Sequence, residues 1–276
     1  MSTPRIAAIH DLSGFGRCSL TVALPILSAM GLQCCPLPTA LLSTHTGGFE
    51  GFTFLDLTDE MTGISAHWKA LHLDFDAIYS GFLGSEQQIG VVEEFFRDFS
   101  RPGTVTVVDP VMGDHGQVYQ TYTPAMCAGM ARLAQRADVI TPNFTEAALL
   151  LDVPYDALPD PRTTVERLSL QGKRSVVLTG VSMEPGKTGA MCLDAKTGQI
   201  EAVQTAYIAH EFHGTGDVFA SVLTGALVQG RTLTEAALKA AQFVRACAQR
   251  TAQINLPMRE GVEFEPLLGL LAERRQ

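Results

Sequence analysis

The sequence predicts one α/β domain in three layers, α/β/α, with helices on both faces of a mostly parallel central sheet. Three observations lead there. Short apolar runs, rich in Val and Ile, alternate with longer segments whose apolar residues recur at helical spacing, the pattern of strands joined by crossover helices. The 276 residues, 46% of them hydrophobic, suffice for one large core. No internal repeat, low-complexity segment or linker rich in Pro, Gly and Ser cuts the chain, so residues 1–276 read as a single domain.

Arg5 to Ile9 reads as the first strand. Ser19 to Met30 reads as a helix, with Pro25 kinking it or marking a boundary. Gln33 to Leu37 is a weaker strand. Ala77 to Ser80 and Thr104 to Val108 are too short and too rich in β-branched or aromatic residues for helices. Between them, Glu86 to Phe99 carries apolar residues at helical spacing. Pro124 to Arg136 is a helix, Val139 and Ile140 a short strand, and Glu146 to Leu151 and Val165 to Gln171 further helices. Ser175 to Thr179 is a strand, and Gly189 to Leu193 with Ile200 to Thr205 forms a hairpin. Two long helices follow, Asp217 to Gln229 and Glu235 to Gln253, the second opened by the capping box Thr232-Leu233-Thr234-Glu235. A final helix lies near Phe264 to Arg274.

Composition narrows the function classes. A net charge of −9 argues against a broad nucleic-acid surface. An acidic protein still binds a polyphosphate where backbone amides and a metal ion supply the positive field. The six cysteines are scattered and form no C-x-x-C pair, which argues against a zinc site or disulfide framework and for a reducing cytoplasm. Residues 1–10 lack the pattern of a signal peptide, and no run of about 18 apolar residues predicts a membrane span.

The motif richest in chemistry is His213-Gly214-Thr215-Gly216-Asp217, which opens an apolar helix. The first N–H groups of a helix have no intrahelical partner and lie at the positive end of its dipole, so a glycine-rich entry makes an anion site. Asp217 puts a carboxylate beside that anion, placed to take a proton from an attacking hydroxyl. It also fits a plain dipole-complementing role. As a base it needs no raised pKa, and near a helix N-terminus it is expected to stay ionised.

Ligands of open α/β sheets bind outside the carboxyl ends of the strands, and polar residues gather at those ends here. The clusters are His10, Asp11, Ser13, Gly14 and Gly16; Gly81 to Gly84; Asp109 to Asp114; Thr141 to Glu146; Thr179-Gly180; and the anion loop. Each has a structural alternative. Asp109 and Asp114 fit turns. Asn143 and Glu146 fit an N-cap and its capping-box partner, and a Glu there with Asp109 or Asp114 could also hold Mg²⁺ through waters. Thr46 fits a plain loop residue, His45 a satisfied structural histidine, His210 and His213 local packing, and Lys187 a solvated surface charge.

Taken together, these residues resemble a known family. Gly214-Thr215-Gly216-Asp217 is similar to the terminal signature of the ribokinase-like kinases. Asp109-Pro110-Val111-Met112-Gly113-Asp114 and Thr141-Pro142-Asn143 with Glu146 match the vitamin-kinase branch. Ser43-Thr44-His45-Thr46-Gly47 resembles the substrate segment of the pyridoxal/pyridoxamine kinase group. The correspondence runs from about Arg5 to about Gln253. It implies a ribokinase-like fold and transfer of the γ-phosphoryl of MgATP to the 5′-hydroxymethyl group of a vitamin B6 vitamer. Asp217 is then the base, and the amides of Gly214, Thr215 and Gly216 form the anion hole. Asp109, Asp114 and Glu146 lie on the ATP–metal side, Asn143 helps place phosphates and metal, and Thr179 and Thr215 contact the nucleotide. Thr46 and Gly47 with Asp11, Ser13 and Phe82 line the vitamer pocket. The resemblance also implies a homodimer and leaves room for a monovalent cation.

Three positions depart from the group's pattern. Asp11 stands where many members carry Ser, and an Asp there looks more like the hydroxymethylpyrimidine kinases. Phe82 stands where Tyr is common. The loop after Asp114 lacks the cysteine some members place over the vitamer. Two rival readings therefore stay in view: a hydroxymethylpyrimidine kinase, and a non-catalytic binder of pyridoxal phosphate or nucleotide. A dinucleotide-dependent oxidoreductase fits less well, because Gly14 and Gly16 form no G-x-G-x-x-G run.

Overall fold

The computed structural model describes residues 2–209, 212–254 and 256–272. Strand β1 (Arg5–Phe15) leads to helix α1 (Ser19–Ala29), β2 (Gln33–Thr44), β3 (Phe54–Asp56), α2 (Thr58–Ala70), β4 (Ala77–Ser80), α3 (Glu86–Phe99) and β5 (Val105–Val108). A small hairpin, β6 (Gly113–Asp114) and β7 (Gln117–Val118), precedes α4 (Pro124–Ala134), β8 (Val139–Ile140), α5 (Phe144–Leu151) and α6 (Pro161–Leu168). Then come β9 (Ser175–Val181), β10 (Lys187–Leu193), β11 (Ile200–Ala206), α7 (Thr215–Val228) and α8 (Leu233–Ile254). Where a last helix was expected, the chain makes 3₁₀ turns over Glu265–Leu270; residues 273–276 lie outside the described residues.

Nine strands form one sheet in the order β11-β10-β9-β8-β5-β4-β1-β2-β3. The six from β9 to β2 pair in parallel, and antiparallel partners close both edges. Alternation along the strands sorts the core into two sides. Ile6, Ala77, Tyr79, Val107, Val139 and Val177 face α1, α7 and α8. Their neighbours Ala7, Ile78, Val108, Ile140 and Val176 face the layer of α2 to α6. Each strand buries both faces, as the near-continuous apolar runs require.

Strand order reverses at β1. The chain leaves β1 for β2 on one side and returns to place β4 on the other. A crevice at the carboxyl ends of β1 and β4 follows from that topology. β1 outruns its expected end at Ile9 and continues to Phe15. It pairs with β4 only over Ile6–Ile9 but with β2 as far as Phe15↔Thr44, with a bulge between His10 and Leu12. The two strands thus project past the sheet edge, carrying β3 on Ala40 to Leu42. Asp11 and Ser13, expected in a loop, sit on this projecting strand.

Local chemistry explains several boundaries. Ser85 caps α3 by accepting the Gln88 N–H at 3.3 Å. Thr123 and the Pro124 after it open α4, and Asp160 and Pro161 open α6. Thr232 and Glu235 form the expected capping box before α8: Glu235 Oε2 accepts the Thr232 N–H at 2.9 Å and Thr232 Oγ1 accepts the Glu235 N–H at 3.3 Å. Thr232→Ala is expected to cost about 1 kcal/mol of unfolding free energy, measured by urea titration, with activity unchanged.

Candidate active site

Gly214 starts α7 from the left-handed region, φ +76°. A β-carbon there would lie 2.0 Å from the Arg17 carbonyl oxygen, so this position tolerates only glycine. The helix ladder begins with Val218 N–H donating to the Gly214 carbonyl at 3.0 Å. No side chain caps this end, and a β-carbon at Gly216 would meet nothing within 4 Å. The first amides of α7 therefore open onto free space at the positive end of the helix. The Arg17 turn behind Gly214 is pinned in its turn. Its N–H donates to the Glu260 carbonyl, and its guanidinium bonds both Glu265 carboxylate oxygens at 2.7 and 3.0 Å.

Asp217 is half-buried in that first turn. Burial pushes its carboxyl up to about 7; the Ser19 backbone N–H holds it down, and Asp109 and Asp11 add repulsion. The sequence expectation that Asp217 simply stays ionised is thus corrected. Dipole stabilisation is outweighed by desolvation and by two neighbouring carboxylates. The Ser19 contact was not foreseen. Gly16-Arg17-Cys18-Ser19 reads as an ordinary strand-to-helix turn, and only the packing of α1 beside α7 brings that amide to Asp217. Ser19 itself adopts φ +50°, uncommon for a residue with a side chain.

Around Asp217 stand further carboxyls. Asp109, at the end of β5, is buried and accepts the Thr141 hydroxyl at 2.9 Å; burial pushes it up to about 6. Asp11 is buried and accepts the Ser13 hydroxyl at 2.8 Å, its carboxyl also raised by burial. Glu146 is raised by burial and then by Asp109. Tyr119, 42% exposed after the β6–β7 hairpin, has its phenol raised by partial desolvation together with the fields of Glu146, Asp114, Asp217 and Asp109. No sequence signal pointed to it.

The structure joins these acids unevenly. Asp11, Asp109 and Asp217 share one field, whereas Asp114 is exposed on the β6 turn, accepting the His115 N–H at 2.8 Å. Among the described residues no three His, Cys, Asp or Glu side chains converge as a direct metal cage. Of the expected trio, Asp109 and Asp114 both lie within the field of Glu146. Buried, mutually repelling carboxylates with oxygen donors do suit a hard, hydrated cation such as Mg²⁺, which keeps much of its own water.

Asn143 and Glu146 are a structural pair, as one of their two readings held. Asn143 Oδ1 accepts the Glu146 N–H and Glu146 Oε2 accepts the Asn143 N–H, both at 2.9 Å. Glu146 Oε1 also accepts the Met112 N–H, and the Asn143 amide donates to the Gly113 carbonyl. This pair fixes the Asp109 to Asp114 turn onto α5. Thr179 lies within β9, its hydroxyl donating to the Pro142 carbonyl at 3.4 Å. Phe82, partly exposed beyond β4, packs edge-on to Tyr122 at 6.1 Å.

Thr46 is exposed and Gly47 half-buried in the turn after β2. This turn abuts the anion loop: a β-carbon on Gly47 would come within 3.0 Å of the His213 ring. His45 locks it. Gly47 N–H donates to Nδ1 at 3.1 Å, which fixes the proton on Nε2, and Nε2 faces the Arg259 carbonyl at 2.7 Å. His45 is therefore a satisfied structural histidine. The His213 ring stands 5.4 Å from that of His45. His210 lies outside the described residues. Lys187 pairs with Glu184 at 2.7 Å on the surface, as the solvated reading expected.

Comparison with known proteins fits this geometry. A model of the phosphomethylpyrimidine kinases matches residues 24–261. The chain belongs to that family. A Bacteroides thetaiotaomicron protein assigned to the phosphomethylpyrimidine kinases, and crystallised with pyridoxal, superposes with a TM-score of 0.93 at 45% identity over 100% of this chain and 98% of its own. The pyridoxal kinase of Lactobacillus plantarum superposes with a TM-score of 0.91 at 34% identity over 98% and 97%. A pyridoxine/pyridoxal/pyridoxamine kinase of Bordetella avium is 29% identical over 94% of this chain and 91% of its length. The three-layer, ribokinase-like architecture and the kinase class read from the sequence both stand. All six cysteines are free thiols, and no helix among the described residues is long and apolar enough to cross a membrane.

Proposed function

We propose that the protein transfers the γ-phosphoryl of ATP to the 5′-hydroxymethyl group of a vitamin B6 vitamer, in salvage of pyridoxal phosphate. One observation carries this reading. A carboxyl poised near neutrality, Asp217, sits in the first turn of an uncapped helix whose entry abuts the Thr46-Gly47 turn. A phosphate received by the amides of Gly214, Thr215 and Gly216 and an alcohol held beside Thr46 would meet at Asp217. Phosphoryl transfer passes through a loose transition state, so placing the partners and stabilising charge supply most of the rate. Asp217 accepts the hydroxyl proton, and the amides receive charge on the transferring oxygens. Mg²⁺, when bound with ATP, neutralises phosphate charge; Asp109 and Glu146, with Asp114 at the rim, are the groups to hold it through water. Thr179 and Thr215 border the nucleotide side, and Asp11, Ser13 and Phe82 the vitamer side.

The family's description names a pyrimidine kinase, and a Haemophilus influenzae relative is a hydroxymethylpyrimidine/phosphomethylpyrimidine kinase, so hydroxymethylpyrimidine is the rival acceptor, with which Asp11 agrees. ADP release measured with pyridoxal, pyridoxamine, pyridoxine and hydroxymethylpyrimidine decides between them. A kcat/KM at least tenfold higher for a B6 vitamer is the expected result. Preference for the pyrimidine moves the substrate assignment, and saturable binding without ADP release moves the protein to the non-catalytic class. Thr46→Ala is expected to raise KM for the vitamer several-fold while KM for ATP changes less than twofold, read from paired saturation curves. Free cysteines favour a reducing cytoplasm. Exposed Phe15, Leu41, Phe54 and Leu55 on the projecting strands support a homodimer.

A further inference from the structure

Beneath Asp217 lies a group of polar side chains that the proposed chemistry does not use. His10 on β1, Tyr79 on β4 and Ser221 on α7 are each 0% exposed. Neither ring nitrogen of His10 has a hydrogen-bond partner among the described residues, and Tyr79 Oη and Ser221 Oγ, which face each other, lack a partner at normal hydrogen-bond geometry. Buried polar groups are as a rule satisfied, by protein or by ordered water, so these atoms in one place call for an occupant.

They do lie in one place. The His10 ring meets the Tyr79 ring edge-on, with centroids 4.2 Å apart. Gly81, just past the end of β4, leaves the ring its room: a β-carbon there would lie 2.3 Å from His10 Nδ1. The Tyr79 phenol faces Ser221 and lies within the fields of Asp109 and Asp217. Ser221 is four residues after Asp217, one helical turn along the same face of α7. Burial holds the His10 ring neutral down to about 3, so it offers one donor and one acceptor throughout the working range.

We propose that His10, Tyr79 and Ser221 form, with bridging water, a polar layer that positions the first turn of α7 and so aims Asp217 and the anion-binding amides for phosphoryl transfer. These are positioning residues: they touch neither the phosphate nor the alcohol. The layer runs from the strand where the sheet order reverses to the helix that carries the base, and it joins the two sides of the crevice through hydrogen bonds rather than through apolar packing alone. Small errors of placement cost a reaction of this kind much of its rate. This inference rests on the kinase reading above.

Tyr79→Phe and Ser221→Ala each remove one hydroxyl while keeping the surrounding shape. In steady-state assays each is expected to lower kcat roughly tenfold while KM for both substrates stays within about twofold of wild type. The thermal midpoint should change little, since each substitution removes one water-bridged hydroxyl and leaves the packing around it in place. The double variant should lose no more than the larger single loss, because both act through one layer. A kcat within twofold of wild type in both variants overturns the inference. So does a double variant whose loss is the product of the singles, or a rate loss that tracks a fall in thermal midpoint. A wild type that phosphorylates no ring alcohol overturns the functional reading and this inference with it. A fully active wild type matched by its variants overturns the inference alone.

Discussion

Replacing Asp217 by asparagine is expected to lower kcat by about a hundredfold or more, with the fold retained. The substitution keeps the shape of the side chain and its contact with the Ser19 amide, but removes the group that takes the proton. It also relieves the repulsion from Asp109 and Asp11, so the thermal midpoint should hold or rise. That combination separates a base from a stabilising cap, since loss of a dipole-complementing carboxylate would lower stability and spare turnover. The acid limb of kcat/KM carries the same signature. A base raised to about 7 is half-protonated at that pH, so kcat/KM should fall about tenfold per unit as pH drops below it. The sign of the stability effect is opposite. A carboxyl whose folded value lies above its unfolded value favours folding at low pH, and that contribution declines as pH rises from about 4 through about 7. The ligand-free protein should therefore gain activity over the interval in which this group costs it stability. Wild-type turnover in a folded Asp217→Asn variant removes the base assignment.

Much of this architecture could be read from the residues because local signals agreed with tertiary ones. Helix α3 has its predicted limits, Glu86 to Phe99, since Ser85 caps it and Ile89, Val92, Phe95, Phe96 and Phe99 line one buried face. Helix α2 was passed over although Met61, Ile64 and Trp68 recur at helical spacing and pack on the second core; its stripe is thin, with only Thr58 and Met61 of its thirteen residues fully buried. Strand β1 was cut short for a related reason. His10, Asp11 and Ser13 read as a polar loop, whereas pairing with β2 holds them extended. The site was legible as a set of residue types at strand ends, because glycines and carboxylates mark anion and proton chemistry without reference to distance. Its electrostatics were not. The raised carboxyl of Asp217 arises first from burial and then from Asp109 and Asp11, with the Ser19 amide opposing them, and no spacing rule encodes the convergence of residues so far apart in the chain. Asn143 shows the converse: the capping motif was visible, but the second tie, from its amide to the Gly113 carbonyl, was not.

Gly214→Ala should be nearly as damaging as loss of the base, and for a reason that involves no chemistry. The added methyl would lie 2.0 Å from the Arg17 carbonyl oxygen, and the backbone at φ +76° already disfavours any side chain by about 1–2 kcal/mol. Arg17 cannot simply yield. Its N–H is bonded to the Glu260 carbonyl, its guanidinium grips Glu265, and a β-carbon on Gly261 would itself lie 2.9 Å from Arg17 Cβ. The strain must therefore move the other way, into the entry of α7, and turn the amides of Thr215 and Gly216 off their aim. Losing one well-placed donor to a developing anion commonly costs about 10²–10³ in kcat, and a loss in that range is expected here. The thermal midpoint should fall as well, which distinguishes this variant from Asp217→Asn. Gly216→Ala provides the control, because a β-carbon at that position meets nothing within 4 Å. It should fold as wild type and lose activity only so far as its methyl crowds the incoming phosphate, seen as a raised KM for ATP. A Gly214→Ala enzyme with wild-type kcat would mean that the amides at the start of α7 do not hold the transferring group.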